Sequence, residues 1–214
     1  MIWRIIICLL IGYGFGCIST GYIVGKSQKV DIRKYGSGNV GTTNALRTLG
    51  KKAALITLLG DVFKCAIPVV LVKFLLFKDL PYAELLGLYT ALGAVLGHTF
   101  PFYLKFKGGK GIAVLVGTIL TFDWKIFLIC IATFFIILAI TKYVSLGSLV
   151  MELEFVAGVA ITRPGDWHMF ALSAVFAVLA FYTHRENIKR LVKGTENKIG
   201  QKVKINTEEK TEEK

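Results

Sequence analysis

Three short stretches of this chain gather groups suited to holding anions: GSGNVGTTNALRTLGKK at 36–52, GHTFPFYLKFKGGKG at 97–111 and HRENIKRLVKG at 184–194. In the first, Gly36, Gly38 and Gly41 let the backbone turn and approach a ligand closely. Such turns can aim successive N–H groups inward as an anion nest. Ser37, Asn39, Thr43 and Asn44 add side-chain donors, and Arg47 adds a planar cation matched to phosphate oxygens. The bland alternative is an ordinary flexible loop with a helix N-cap at Thr42 or Thr43. In the second, Lys107-Gly108-Gly109-Lys110-Gly111 runs straight into an apolar segment. A glycine turn entering a helix N-terminus is an anion site, because free N–H groups and the helix dipole point at it. A basic loop that merely sets topology would read the same way. His98 fits a packed, hydrogen-bonded residue better than a catalyst. In the third, His184 and Asn187 are three apart and share a face if the helix continues, although a plain juxtamembrane basic helix also fits.

These stretches must be positioned by something apolar. The chain has 214 residues, 54% of them hydrophobic, and a mean hydropathy of +0.61, too oily for a soluble domain. A hydrocarbon core of about 30 Å asks for helices of about 20 apolar residues. Such runs lie near 5–25, 53–77, 82–104, 111–122, 124–141, 143–161 and 168–183. The expected fold is therefore an all-α integral membrane protein with seven transmembrane helices, forming one polytopic domain over 1–200. The fourth run is short and ends at Asp123. Fusing it with the fifth gives a helix longer than a bilayer needs, whereas Asp123, Trp124 and Lys125 suit an interfacial turn. Treating both as re-entrant leaves five crossings and the same sidedness. A signal peptide is disfavoured at 5–25, where no good small-residue cleavage site follows. Gly12 and Gly16, like Gly21 and Gly25, have the spacing that lets helices approach closely in lipid.

Charge supplies the orientation. Lys26, Lys29, Arg33, Lys34, Arg47, Lys51 and Lys52 face one acid, Asp31, in the first loop; Lys105, Lys107 and Lys110 fill the next, and the stretch after His184 is basic. The intervening turns are nearly neutral. Alternate loops are therefore basic and cytoplasmic by the positive-inside rule, with the N-terminus outside and the C-terminus in the cytoplasm. All three polar stretches then share one face. The last residues, 201–214, hold four lysines and four glutamates and read as a disordered tail. The net charge of +12 thus belongs to the membrane domain and suits anionic lipids or an anionic substrate. Cys8, Cys17, Cys65 and Cys130 lie in apolar runs and read as small buried hydrophobes; no metal site or disulfide is indicated. GYIVGKS at 21–27 is not a Walker A loop, which needs four residues between its glycines.

Taken together, in order and spacing, the three stretches resemble the signature segments of the bacterial membrane-integral acyl-phosphate:glycerol-3-phosphate acyltransferases, the PlsY-type family. KYVSLGSL at 142–149 is similar to the segment between the second and third of them. The resemblance covers residues 10–200. It implies transfer of a fatty acyl group from acyl phosphate to the 1-hydroxyl of glycerol 3-phosphate, giving lysophosphatidic acid and phosphate at the bacterial inner (plasma) membrane. Neither acyl-CoA nor acyl carrier protein is the direct donor. The His-x-x-x-x-Asp arrangement of other glycerolipid acyltransferases is missing, as it is after each histidine here. Carried onto this chain, Ser37, Gly38, Asn39, Gly41, Thr43 and Asn44 line a phosphate pocket. Arg47 and Lys110 neutralise phosphate, with Lys107, Gly108 and Gly109 beside them; His184 and Asn187 orient glycerol 3-phosphate. Arg47, Lys110 and His184 form the catalytic set, and the hydroxyl proton goes either to a substrate phosphate or to His184. The expected partners are acyl phosphate, glycerol 3-phosphate and membrane lipids, with room for an acyl-phosphate-producing enzyme; no cofactor, metal or nucleic acid is expected. Two departures stand out. Asp61-Val-Phe-Lys64 is followed by Cys65 where the family has glycine, and Glu152 and Glu154 have no assigned role. The rival class is a small transporter for an anionic solute, which predicts symmetric halves; no internal repeat is found. A purely structural membrane subunit would leave the three loops unexplained.

Overall fold

The computed structural model describes residues 1–201; the acidic and basic tail lies outside the described residues from 202 onward. Described residues form ten α-helices and no strand. α1 (Ile2–Gly16) and α2 (Thr20–Ser27) are one apolar run broken at 17–19. α3 (Thr42–Thr48) and α4 (Lys51–Leu71) are separated by Gly50, whose φ of 90° suits glycine alone. Then come α5 (Ala83–Thr99), α6 (Ile112–Phe122), α7 (Trp124–Thr141), α8 (Val144–Thr162), α9 (Trp167–Thr183) and α10 (Arg185–Val192).

Each of the seven expected apolar runs is helical. Five segments are long and apolar enough to cross a bilayer: Ile2–Ser27, Lys51–Leu76, Ala83–Leu104, Trp124–Thr141 and Val144–Thr162. A sixth is reached if α9 and α10, bent by 63° at His184, count together. α6 has 11 residues, about 16 Å of helix, and falls short of the hydrocarbon core. α6 and α7 are not one helix. Asp123 ends the first and caps the second, accepting from Lys125 N at 2.8 Å and Ile126 N at 3.3 Å, a satisfied N-cap. Asp166 does the same for α9 through Met169 N at 2.9 Å.

α5 is the centre of the bundle, with 13 of its 17 residues buried. α1 lies on it through four glycines. An added Cβ would sit 1.9 Å from Thr90 O at Gly12 and 2.2 Å from Ala94 O at Gly16. From the other side it would sit 2.3 Å from Leu9 O at Gly93 and 2.3 Å from Tyr13 O at Gly97. Gly21 likewise admits the Val40 carbonyl, locking α2 to the first polar loop. α4, α6, α8 and α9 complete one apolar core around Leu115, Phe155 and Phe176. Cys65 does not disturb it, because Gly117 on α6 supplies the close approach: a Cβ added there would lie 2.5 Å from Val62 O and 3.2 Å from Cys65 Cβ. Glu152 is buried and Glu154 half-buried on α8, each with one oxygen lacking a hydrogen-bond partner; nothing in the structure explains them.

Candidate active site

Asn44 ties the first polar loop together. Its Nδ2 lies within 2.8–3.2 Å of the carbonyls of Ile32, Tyr35 and Asn39, and its Oδ1 accepts from Ser37 N at 3.0 Å. Gly36 and Gly38 turn the chain at φ of 62° and 69°, and a Cβ at Gly36 would strike Asn44 Oδ1. Asn39 Oδ1 accepts from Gly41 N at 2.8 Å. Gly41, not Thr42 or Thr43, is the N-cap of α3. The helix carries Arg47 in its last turn, and Arg47 Nε and Thr42 Oγ1 are both buried without a hydrogen-bond partner among the described residues.

The three polar stretches meet around one cavity of about 500 Å³. Ser37, Asn39, Gly41, Thr43, Asn44 and Arg47 line it from the first, His98 and Lys110 from the second, His184 and Asn187 from the third. The N-terminus of α6 opens onto it through Gly111, Ile112 and Ala113. Away from the polar end the wall is apolar: Leu58, Leu59 and Val116, then Phe134, Phe135 and Leu138 from α7. Leu59 and Phe135 are 46% and 58% exposed, so this apolar wall is not sealed inside the core.

Several expected residues stand elsewhere. Gly38 does not line the cavity; its amide is bonded to Tyr35 O at 3.0 Å. Lys107 is exposed and away from the wall. The amides of Gly108 and Gly109, expected as anion donors, donate to Thr99 O and His98 O at 3.0 Å each. These glycines are needed for room: a Cβ on Gly108 would lie 2.0 Å from His98 O, and one on Gly109 2.0 Å from His98 Nε2. Lys110 is what the turn presents.

The electrostatics are those of a buried, mainly cationic pocket. Lys110 Nζ donates to Asn187 Oδ1. Burial pushes the Lys110 ammonium down to about 8; Glu196 pulls the other way, while Arg190 and Arg47 push with it. Burial also lowers the Arg47 guanidinium from its ordinary value, without threatening its charge. His184 Nδ1 lies 2.8 Å from Ala180 O. A carbonyl only accepts, so the ring proton is assigned to Nδ1 and Nε2 is left as an acceptor. Burial, then the Lys110 charge, push this imidazole down to about 4; it is neutral near pH 7.

Three members of the site carried no role in the sequence. Glu196 accepts from Asn187 Nδ2 at 2.6 Å and Ser145 Oγ at 3.0 Å on Oε1, and from Arg190 Nε at 2.7 Å on Oε2. Burial alone would raise this carboxyl, but those three donors and the Arg190 charge hold it below its usual value. Ile199 N, bonded to Lys142 O at 2.9 Å, pins the segment that carries Glu196. The available signal was the short run Thr195-Glu196-Asn197 just past the third stretch, and Ser145 inside KYVSLGSL.

Comparison with known proteins gives one answer. The family model described as glycerol-3-phosphate acyltransferase matches residues 6–194. A glycerol-3-phosphate acyltransferase of Clostridioides difficile is 44% identical over 209 residues, covering 94% of this chain and 98% of its own length. That of Thermoanaerobacter pseudethanolicus is 42% identical over 201 residues, with the same coverage. That of Bacillus subtilis is 39% identical over 196 residues, covering 91% and 97%. The crystal structure of PlsY (YgiH), an integral membrane glycerol 3-phosphate acyltransferase, in its glycerol 3-phosphate form superposes with a TM-score of 0.81. It is 31% identical, with 93% of this chain and 95% of that one covered. Its lysophosphatidic acid form also gives 0.81, at 30% identity and coverage of 92% and 96%. The transporter alternative is not favoured by these matches, and with a shared fold, near-full coverage and the three polar stretches around one cavity, this chain belongs to the glycerol-3-phosphate acyltransferase family of integral membrane enzymes.

Proposed function

We propose that this acyltransferase takes its acyl group from acyl phosphate and delivers it to the 1-hydroxyl of glycerol 3-phosphate. We place the reaction at the cytoplasmic face of the bacterial plasma membrane, with the N-terminus outside and the seven apolar helices embedded. The observation that supports the donor is the cavity itself, with Arg47, Lys110 and Arg190 at one end and an apolar wall at the other. Two phosphates side by side need that excess of cations, and Glu196 offsets only one of them.

The hydroxyl oxygen attacks the acyl carbonyl carbon, the bond from that carbon to the bridging phosphate oxygen breaks, and the hydroxyl proton ends on the departing phosphate. The leaving group is good, so the protein contributes positioning and charge neutralisation. The second phosphate pKa of about 6 exceeds the value of about 4 for His184. That order favours a phosphate oxygen as proton acceptor. His184 Nε2 serves instead as a hydrogen-bond acceptor that orients a glycerol hydroxyl. Ser37, Asn39 and Thr43 line the phosphate end.

The test uses the purified protein in lipid with labelled glycerol 3-phosphate and either palmitoyl phosphate or palmitoyl-CoA. Lysophosphatidic acid is expected with the phosphate donor alone; equal product from the thioester overturns the donor assignment.

A pH prediction follows from Lys110. An ammonium with a lowered pKa is charged below that value and neutral above it. kcat/KM for glycerol 3-phosphate is therefore expected to fall as pH rises through about 8, approaching about tenfold per pH unit once the ammonium is mostly lost. The profile of kcat/KM reports the free enzyme, so this limb belongs to the unliganded pocket. Lys110→Arg should remove it; an unchanged alkaline limb in that variant would assign it to another group.

A further inference from the structure

Beside the lysine turn lies a buried polar cluster to which the acyl-transfer step assigns no role, although two of its members, Asp61 and His98, also line the cavity. Asp61 and Lys64 on α4 and His98 on α5 are each at most 4% exposed. Lys64 Nζ is 2.8 Å from each of three groups: Asp61 Oδ1, His98 Nδ1 and the Ile18 carbonyl at the break between α1 and α2. An ammonium has three protons and no lone pair; two of these contacts are hydrogen bonds, to Ile18 O and His98 Nδ1, and the third is an ion pair. Neither carboxylate oxygen of Asp61 has a hydrogen-bond partner among the described residues. Charged groups are costly inside a bilayer and mark function when they persist there.

The geometry also settles which atom of His98 carries the ring proton. Lys64 can only donate, so Nδ1 accepts and the proton is assigned to Nε2. That Nε2 edge lies against the Cα of Gly109, where an added Cβ would be 2.0 Å away. The main chain of the same residue takes the Gly109 amide, and its neighbour Thr99 takes the Gly108 amide. His98 and Thr99 are therefore the surface on which the turn ending in Lys110 is laid.

We propose that Asp61, Lys64 and His98 are positioning residues for Lys110. The ion pair holds His98 in one tautomer and one orientation, and the ring and backbone of His98 fix the glycine turn that delivers the Lys110 ammonium to Asn187 and the cavity. The tie to Ile18 keeps α1 and α2 in register with that turn. This inference rests on Lys110 acting on a substrate phosphate.

The cluster could instead serve stability alone, and two variants separate the roles. Lys64→Met strands Asp61 in the core and is expected to destabilise the fold. Asp61→Leu with Lys64→Met replaces the buried pair by apolar groups, a change that often leaves stability intact. The double variant is expected to regain the thermal stability of the wild type while its kcat/KM stays about 10²-fold low, the cost of a misplaced catalytic group. Wild-type activity in a stable double variant overturns the proposal. Should the double variant not fold, the ¹⁵N spectrum of histidine-labelled wild-type protein decides. A single Nε2–H tautomer for His98, shifting in Asp61→Asn, supports the unit, and a predominant Nδ1–H form sinks it. Lys110→Ala run alongside keeps the premises apart: undiminished activity there would remove Lys110 from the chemistry whatever the His98 spectrum shows.

Discussion

Replacing Lys110 by alanine is expected to lower kcat/KM for glycerol 3-phosphate by about 10²–10³-fold, the usual cost of losing one preorganised transition-state donor. The expectation comes from where the ammonium sits. It is half-buried, held by Asn187, and desolvated enough that burial lowers its pKa, so its field is less screened than at the surface. Arg190 is already paired with Glu196 at 2.7 Å. The uncompensated positive charge of the pocket therefore comes down to Lys110 and Arg47. Arg47→Ala should cost a similar factor, since its buried Nε has no hydrogen-bond partner among the described residues. The two losses should not add, because both groups act on one cluster of phosphate charge. Steady-state assays of the two single variants and the pair check this. A single variant within about twofold of wild type removes that side chain from the transition state.

The largest expected effect on stability lies far from the chemistry, where α1 meets α5. Gly12→Ala and Gly16→Ala are each expected to destabilise the protein by about 2–3 kcal/mol, the upper range for overpacking. The obstructing atoms are backbone: Thr90 O at 1.9 Å from the new Cβ in one case, Ala94 O at 2.2 Å in the other. A carbonyl in a helix cannot rotate aside, so the helices must part. Gly14 on the same helix is the control, with nothing within 4 Å of its Cβ position. Gly14→Ala should change stability by no more than about 0.5 kcal/mol. Thermal unfolding in detergent reads all three, and equal melting points would remove the close-packing argument.

This contact shows where sequence reading succeeds and stops. The spacing of Gly12 and Gly16 announced a tight helix approach, but not that Gly93 and Gly97 meet it from α5. The same holds at the site. Arg47, Lys110, His184 and Asn187 could be named because their residue types and their places beside apolar runs carry the chemistry. The residue type of Asn44 points to a phosphate ligand, and it lines the cavity, but its amide is also engaged with three loop carbonyls and Ser37 N, which no composition rule reveals. The glycine turn suggests Gly108 and Gly109 as anion donors, whereas their amides bond to Thr99 O and His98 O and their missing side chains leave room for His98. Glu196 stayed out of view because its meaning is tertiary: it is a carboxylate among cations only once residues after α10 fold back to Lys142. The apolar runs were legible from hydropathy alone. The 11-residue length of α6 shows why counting them does not by itself give the number of complete crossings.

The exposure of Leu59 and Phe135 on the apolar wall of the cavity alters what concentration means for this enzyme. A greasy donor that enters past these two residues arrives from a film two molecules thick, and the lipid product can leave by the same route without meeting bulk solvent. Saturation by the donor should then follow its mole fraction among the surrounding lipids. Adding inert lipid at constant total donor would slow the reaction, whereas the water-borne acceptor would obey ordinary molarity.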